Sequence, residues 1–191
     1  GAVILGKANL TELANFLTHG MRNGFSSRGG AVRSPYGEGL DVGGSSAGSA
    51  VAVAANLCAA AVGTETSGSI LCPANWNSIV GVKPTKGLVS RTGIIPICTA
   101  QDTAGPLTRT VADAAALLTV LAGPDPDDPA TGAIEPYCRD FTAFLDPAGL
   151  RGMRVGVSRV NLEHLPDEHQ VLAERAFAAL EQAGAVTVDT P

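Results

Sequence analysis

The sequence predicts an α/β chain, and three observations carry the prediction. Short β-rich apolar runs alternate with segments whose apolar residues recur at helical spacing. A hydrophobic fraction of 45% over 191 residues supplies material for a sizeable core. Between Asp41 and Thr85, two turns made of Gly, Ser and Thr bracket an uncharged segment rich in Ala and Val, which reads as a buried helix running into a buried strand.

Taken in order, Ala2-Val3-Ile4-Leu5 is an apolar run expected to form a buried strand, which implies a chain that begins mid-domain. Asn9 is expected to cap a helix with Glu12 at its third position, and Leu10, Leu13, Ala14 and Leu17 recur at helical spacing. His19 to Gly39 reads as a long Gly-, Ser-, Arg- and Pro-rich connection; Arg22, Arg28 and Arg33 there fit a solvated face or an anion contact. After the central stretch, Ile79-Val80-Gly81-Val82 reads as a strand ended by Lys83-Pro84, and Leu88-Val89-Ser90 as a short extended run. Pro96 removes a ladder donor, so Ile94-Ile95-Pro96-Ile97 belongs at an edge or in a loop.

Thr110 or Thr108 can cap a helix whose face is Val111, Ala114, Ala115, Leu118 and Leu121, ended by Gly123-Pro124. Asp125 to Ala130 is expected to be an acidic surface connector. Met153 to Val157 reads as a strand, Pro166-Asp167 as the start of an amphipathic helix to about Ala183, and Ala185 to Val188 as a second strand. That order favours a parallel pair joined by a right-handed crossover. The chain is then expected to stop at Pro191 partway through its fold.

Composition narrows the function. A net charge of −5 with 16% charged and 4% aromatic residues gives no basic footprint for nucleic acid or a membrane surface. No uninterrupted apolar run reaches the roughly 18 residues of a spanning helix. No charged n-region followed by an apolar h-region marks a secretory signal. Cys58, Cys72, Cys98 and Cys138 form neither a CxxC pair nor a zinc knuckle, so reduced thiols in a cytoplasmic protein are expected, with no metal site. Cys58 reads as a small core residue, whereas Cys72 either lines a pocket near Ser69 or simply packs.

Small-residue turns let the backbone approach a reacting atom and leave hydroxyls and N–H groups free, which suits a serine nucleophile beside an oxyanion site. A Ser-His-Asp triad has little support, because the histidines are His19, His164 and His169, and the nearest one after Ser69 lies 95 positions on. No phosphate-binding loop or dinucleotide fingerprint is present. A serine can instead be activated by a lysine, with a second hydroxyl as relay.

Gly43-Gly44-Ser45-Ser46-Ala47-Gly48-Ser49 is followed, 24 positions after Ser45, by Ser69 in Thr64-Glu65-Thr66-Ser67-Gly68-Ser69-Ile70. These paired motifs resemble the amidase signature family of Ser-Ser-Lys amide hydrolases. The likeness begins at Gly6-Lys7-Ala8-Asn9-Leu10. It continues through Cys72-Pro73-Ala74, Gly81-Val82-Lys83-Pro84-Thr85 and Gln101 to Pro106, and reaches Thr110 to Ala114. The wording from Thr64 to Ala74, with Gly87 to Arg91, looks most like the peptide-amidase branch, which hydrolyses terminal carboxamides.

The resemblance implies a twisted mixed sheet flanked by helices, with residues 1–191 forming part of an amidase domain truncated at both ends. It implies Ser69 as nucleophile and Ser45 as bridging serine, held by a cis peptide bond. The N–H groups of Thr66, Ser67, Gly68 and Ser69 would form the oxyanion hole. Ser46 and Ser49 either support the site or cap the helix. The implied substrate is a small-molecule or peptide amide, with no metal or organic cofactor.

Three departures qualify the likeness. The family's lysine base lies further upstream of the bridging serine than this chain extends; the lysines here are Lys7, Lys83 and Lys86, so the chain alone is expected to be inactive. Ser67 stands where many members carry glycine. Leu71-Cys72 replaces an arginine that grips acidic substrates in some members, so an anionic substrate is not expected. The alternatives are a catalytically silent scaffold or an amidotransferase subunit that takes ammonia from a partner.

Overall fold

The computed structural model describes residues 2–190, which divide into two units, Gly1–Thr142 and Ala143–Pro191. The first unit opens with a hairpin of β1 (Phe25–Ser26) and β2 (Gly30–Ala31), then α1 (Ala47–Ala54), β3 (Ala60–Glu65) and α2 (Leu71–Trp76). It continues through β4 (Val80–Gly81), β5 (Thr103–Thr108) and α3 (Val111–Leu121). The main sheet has the order β3-β5-β4 with both pairings antiparallel, so the last of these strands in sequence lies in the middle.

β5 is buried at all six positions, Thr103-Ala104-Gly105-Pro106-Leu107-Thr108. Alternation along a strand sends Leu107 and Ala104 to opposite faces. Leu107 packs with Ala50 of α1 and with Ile70 and Ala74 at α2. Ala104 packs with Leu88, Val89 and Leu118 of α3. The sheet is thus covered by α1 and α2 on one face and by α3 on the other. Gly105 is needed because a Cβ there would meet the Val82 carbonyl at 2.1 Å. Pro106 is tolerated in a central strand because its carbonyl accepts from Val82 N–H at 3.1 Å on the side where β4 has already ended at Gly81, so no ladder bond needs the missing donor.

α3 follows the sequence signals closely. Thr110 precedes it, and its hydroxyl oxygen accepts from Asp113 N–H at 3.1 Å while donating to the Asp113 carboxylate at 2.7 Å. The helix ends at Leu121, just before Gly123-Pro124.

Three expectations are corrected. Ala2 to Leu5 forms no strand: Val3, Ile4 and Leu5 are exposed, and no strand among the described residues takes up their backbone groups. The helix after Asn9 is only a 3-10 turn, Glu12–Asn15, broken by positive φ at Leu13 and Ala14. The β1–β2 hairpin takes the two capping residues instead. Asn9 donates to the Gly24 and Gly30 carbonyls and accepts from Ser26, and Glu12 accepts from the N–H and hydroxyl of Ser27. The stretch from Asp125 to Ala130 is more than a surface connector, since Asp128 is buried and pairs with Arg91 at 2.7 Å, and Asp125 accepts from Ser90 and Thr92.

In the second unit, β6 (Arg154–Val157) and β7 (Val186–Asp189) pair in parallel through α4 (Asp167–Gln182), as the alternating pattern predicts. Its register runs from Arg154 opposite Val186 to Val157 opposite Asp189.

Candidate active site

The site is assembled where the turn before α1 meets the turn between β3 and α2. The Gly44–Ser45 peptide is cis, and Ser45 is buried. Its carbonyl accepts from Thr11 N–H at 2.9 Å, and Asn9 O accepts from Gly48 N–H at 2.9 Å, so the N-terminal segment is laid along the start of α1. Ser46 N–H donates to the Ser69 carbonyl at 3.1 Å, which brings the main chains of the two serine turns together. Gly43 sits at φ +65 with Pro73 Cα 2.8 Å from where a Cβ would stand, so only glycine lets the turns approach this closely.

The hydroxyls of α1 face β3. Ser46 Oγ donates to the Thr64 carbonyl and accepts from Thr64 N–H, both at 3.0 Å, and Ser49 Oγ donates to the Val62 carbonyl at 2.9 Å. Ser46 precedes α1, yet its side chain makes no capping bond. Its hydroxyl bridges to β3 and does not cap the helix.

Past β3 the chain turns through Thr66, Ser67 and Gly68. The left-handed residue is Gly68, at φ +95, and not Ser67. The serine that replaces glycine at 67 is therefore accommodated without backbone strain, and its side chain is exposed. The N–H groups of Thr66, Ser67 and Ser69 make no hydrogen bond to a protein acceptor among the described residues. Ser69 itself is half-buried and leads into α2.

Three residues fix this turn and a fourth, Asn77, fixes α2 behind it; none of them stood out in the sequence as part of a site. Glu65 Oε2 accepts from Ile70 N–H at 2.7 Å and Leu71 N–H at 2.9 Å, and Glu65 Oε1 lies 3.7 Å from Lys83 Nζ. Burial opposes the charge of Glu65. The N–H groups of Leu71, Ile70 and Gly68, with the Lys83 charge, outweigh it and hold the carboxyl below its ordinary value. Lys83 Nζ donates to the Thr66 carbonyl at 2.6 Å. The Thr66 hydroxyl donates to Asp102, whose other oxygen accepts from Ile97 and Cys98 N–H at 2.9 Å each. Asp102 is also held below its ordinary value, burial being outweighed by the Thr66, Cys98 and Ile97 hydrogen bonds and by the Arg91 charge. Asn77, fully buried, donates through Nδ2 to Val42 O and Pro73 O, both at 2.8 Å, and so ties α2 to the residue before Gly43.

A small cavity beside Thr66 is lined by Thr64, Glu65, Ile94, Ile97 and Asp102. Cys72 is half-buried, with its Cβ 4.0 Å from where a Cβ on Gly68 would stand. Among the described residues no group of three His, Cys, Asp or Glu is placed to hold a metal, and no helix is long and apolar enough to cross a membrane.

The family model described as Amidase matches residues 1–191. The chain belongs to the amidase family. Among solved structures, this amidase chain superposes on a peptide amidase from Stenotrophomonas maltophilia with a TM-score of 0.91 and 54% identity, over 100% of its own length and 39% of that chain. It superposes on a glutamyl-tRNA(Gln) amidotransferase subunit from Thermotoga maritima with a TM-score of 0.82 and 38% identity, over 99% of its length and 40% of that chain. A probable amidase of Arabidopsis thaliana is 42% identical over 191 residues, 99% of this chain and 36% of the relative. The amidase chain described here thus spans between a third and two fifths of these relatives, and it carries their mixed α/β fold over that span.

Proposed function

We propose that this chain carries the nucleophile, the bridging serine and the oxyanion turn of an amide hydrolase that acts through an acyl-enzyme. Ser69 Oγ attacks the amide carbonyl carbon while its proton passes through Ser45 to a base. The C–N bond then breaks as the nitrogen takes a proton, ammonia or an amine leaves, and water cleaves the resulting ester to free the acid. The N–H groups of Thr66, Ser67, Gly68 and Ser69 surround the developing oxyanion, with that of Gly68 shared with Glu65. Ser46 supports the site by holding β3 against α1.

The observation that carries this reading is the Ser46 N–H to Ser69 O hydrogen bond beside a buried Ser45. The base in this reading is a lysine outside the 191 residues, so the chain by itself is expected to be inactive; that it spans only 36–39% of its relatives leaves room for such a residue. The substrate is an uncharged carboxamide, a small molecule or a peptide amide, because Leu71 and Cys72 offer no cation at the start of α2. Four free thiols favour the reducing cytoplasm.

A fluorophosphonate probe applied to the polypeptide extended upstream tests the reading. The label is expected on Ser69 by mass spectrometry, and is expected to be lost in Ser69→Ala. Labelling elsewhere, or full amide hydrolysis by Ser69→Ala, refutes it. A second reading, as part of an amidotransferase, is favoured by 47% identity over 193 residues to a glutamyl-tRNA(Gln) amidotransferase subunit from Cereibacter sphaeroides. Copurification with a glutaminase partner and ammonia-dependent amide formation would select it over free hydrolysis.

A further inference from the structure

We propose that Lys83 is a positioning residue for the oxyanion turn, gripping the Thr66 carbonyl so that the Thr66–Ser67 peptide is polarised and the Ser67 N–H becomes a stronger donor to the developing oxyanion. The proposal rests on the reading that this turn binds the oxyanion. Its geometry comes from three contacts on one residue and its neighbour. Lys83 Nζ is 2.6 Å from the Thr66 carbonyl oxygen, the Thr66 hydroxyl is held by Asp102, and Glu65 Oε1 stands 3.7 Å from the same ammonium. Thr66 is therefore fixed at both its carbonyl and its side chain.

A trans peptide points its C=O and N–H in opposite directions. With the Thr66 carbonyl turned to Lys83, the Ser67 N–H faces away from it, and it meets no acceptor among the described residues. Resonance couples the two ends of the unit. A cation on the oxygen draws electron density from nitrogen and leaves the N–H proton more positive, and hydrogen bonds in series reinforce one another in this way.

A simple ion pair with Glu65 does not account for Lys83. The carbonyl is the nearer partner, and the other Glu65 oxygen is occupied by two α2 N–H groups. Nor is Lys83 a freely solvated surface lysine, since its side chain is 29% exposed and it stands between β4 and the buried Pro84. The charge is thus aimed at one peptide of the reactive turn, and through that peptide it acts on the reaction.

The test uses the full polypeptide with Lys83→Met, Lys83→Gln and Lys83→Arg. Lys83→Met and Lys83→Gln are expected to lower kcat about 10-fold to 100-fold with KM within about 2-fold, less than the ~100-fold to 1,000-fold loss of a whole donor. Lys83→Arg, which restores the charge, is expected to recover most of the rate. In the infrared spectrum of a stable acyl-enzyme, the ester carbonyl stretch is expected to rise in the two uncharged variants and to return in Lys83→Arg, a readout that a merely structural role would not move. Folded uncharged variants with unchanged kcat and carbonyl stretch would overturn the proposal. So would failure of both to fold while Lys83→Arg folds, because the lysine would then be a structural pin. Fluorophosphonate labelling of the unmodified enzyme separates the two levels: no label on Ser69 sinks the hydrolase reading itself, whereas a label with null Lys83 variants sinks only this inference.

Discussion

Ser46 donates its backbone N–H to the carbonyl of Ser69 at 3.1 Å, and through its hydroxyl it binds both polar groups of the Thr64 main chain at 3.0 Å. One residue thus joins the turn before α1, the end of β3 and the turn before α2. Substitutions at this and neighbouring positions test how far the site depends on such contacts.

Replacing Ser46 by Ala leaves the Thr64 N–H and carbonyl facing a methyl group. An unpaired buried donor or acceptor costs about 1–3 kcal/mol, so Ser46→Ala is expected to destabilise by about 2 kcal/mol. Ser49→Ala removes a single donor to Val62 O and is expected to cost about 1 kcal/mol. Urea unfolding of the two variants side by side measures the difference.

Gly43→Ala places a Cβ 2.8 Å from Pro73 Cα, at a φ of +65. Both the backbone conformation and the contact oppose it, and a loss of about 2–4 kcal/mol is expected. Fluorophosphonate labelling at Ser69 should slow even under conditions where the variant is fully folded by circular dichroism, because the two turns must move apart.

Glu65→Gln keeps one acceptor oxygen but loses the charge that meets the α2 N–H groups and Lys83. The charge-assisted bonds are the stronger kind, so a loss of about 1–2 kcal/mol is expected. The carboxyl of Glu65 is depressed in the folded state, which means its contribution is present above its unfolded pKa and disappears as pH falls through the folded value. Thermal unfolding followed from pH 7 downwards should therefore show a shallower acid limb in Glu65→Gln than in the parent.

Asp128 gives the larger acid effect. The Arg91 guanidinium and the N–H groups of Arg91 and Ala130 hold its carboxyl far below the ordinary carboxylate range. Its folded pKa is lowered, so the stabilisation it provides is complete above about pH 4 and is lost on further acidification. Asp128→Asn strands the Arg91 charge and is expected to cost about 3 kcal/mol at pH 7. The difference from the parent should shrink steadily in urea titrations repeated below pH 4.

Local signals made much of this legible before any coordinates. Thr110 and Gly123-Pro124 bracket α3, and the second unit follows from plain β-α-β periodicity. Ser45 and Ser69 were readable because their turns consist of residues that strands and helices avoid. β5 was not, because Thr103 to Thr108 contains Gly105 and Pro106 and is buried on both faces, so it shows neither alternation nor β-branched richness. Ala2 to Leu5 misled in the opposite direction: its composition suits a strand, but strands need partners and composition does not supply them. Glu65, Lys83 and Asp102 each looked like ordinary charges. What sets them apart is that Lys83 and Asp102 converge on Thr66 from 17 and 36 residues away while Glu65 faces Lys83, which no spacing rule encodes.

The placement of β5 between β3 and β4 bears on how the protein is made. Lys83 and Asp102, which hold the turn before Ser69 at Thr66, leave the ribosome well after Ser69 does, and the middle strand follows them. A nascent chain halted before residue 102 has both serines but neither the sheet centre nor the carboxylate that orients Thr66. The orientation of Thr66 is therefore completed only once the chain that forms the centre of the sheet begins to emerge.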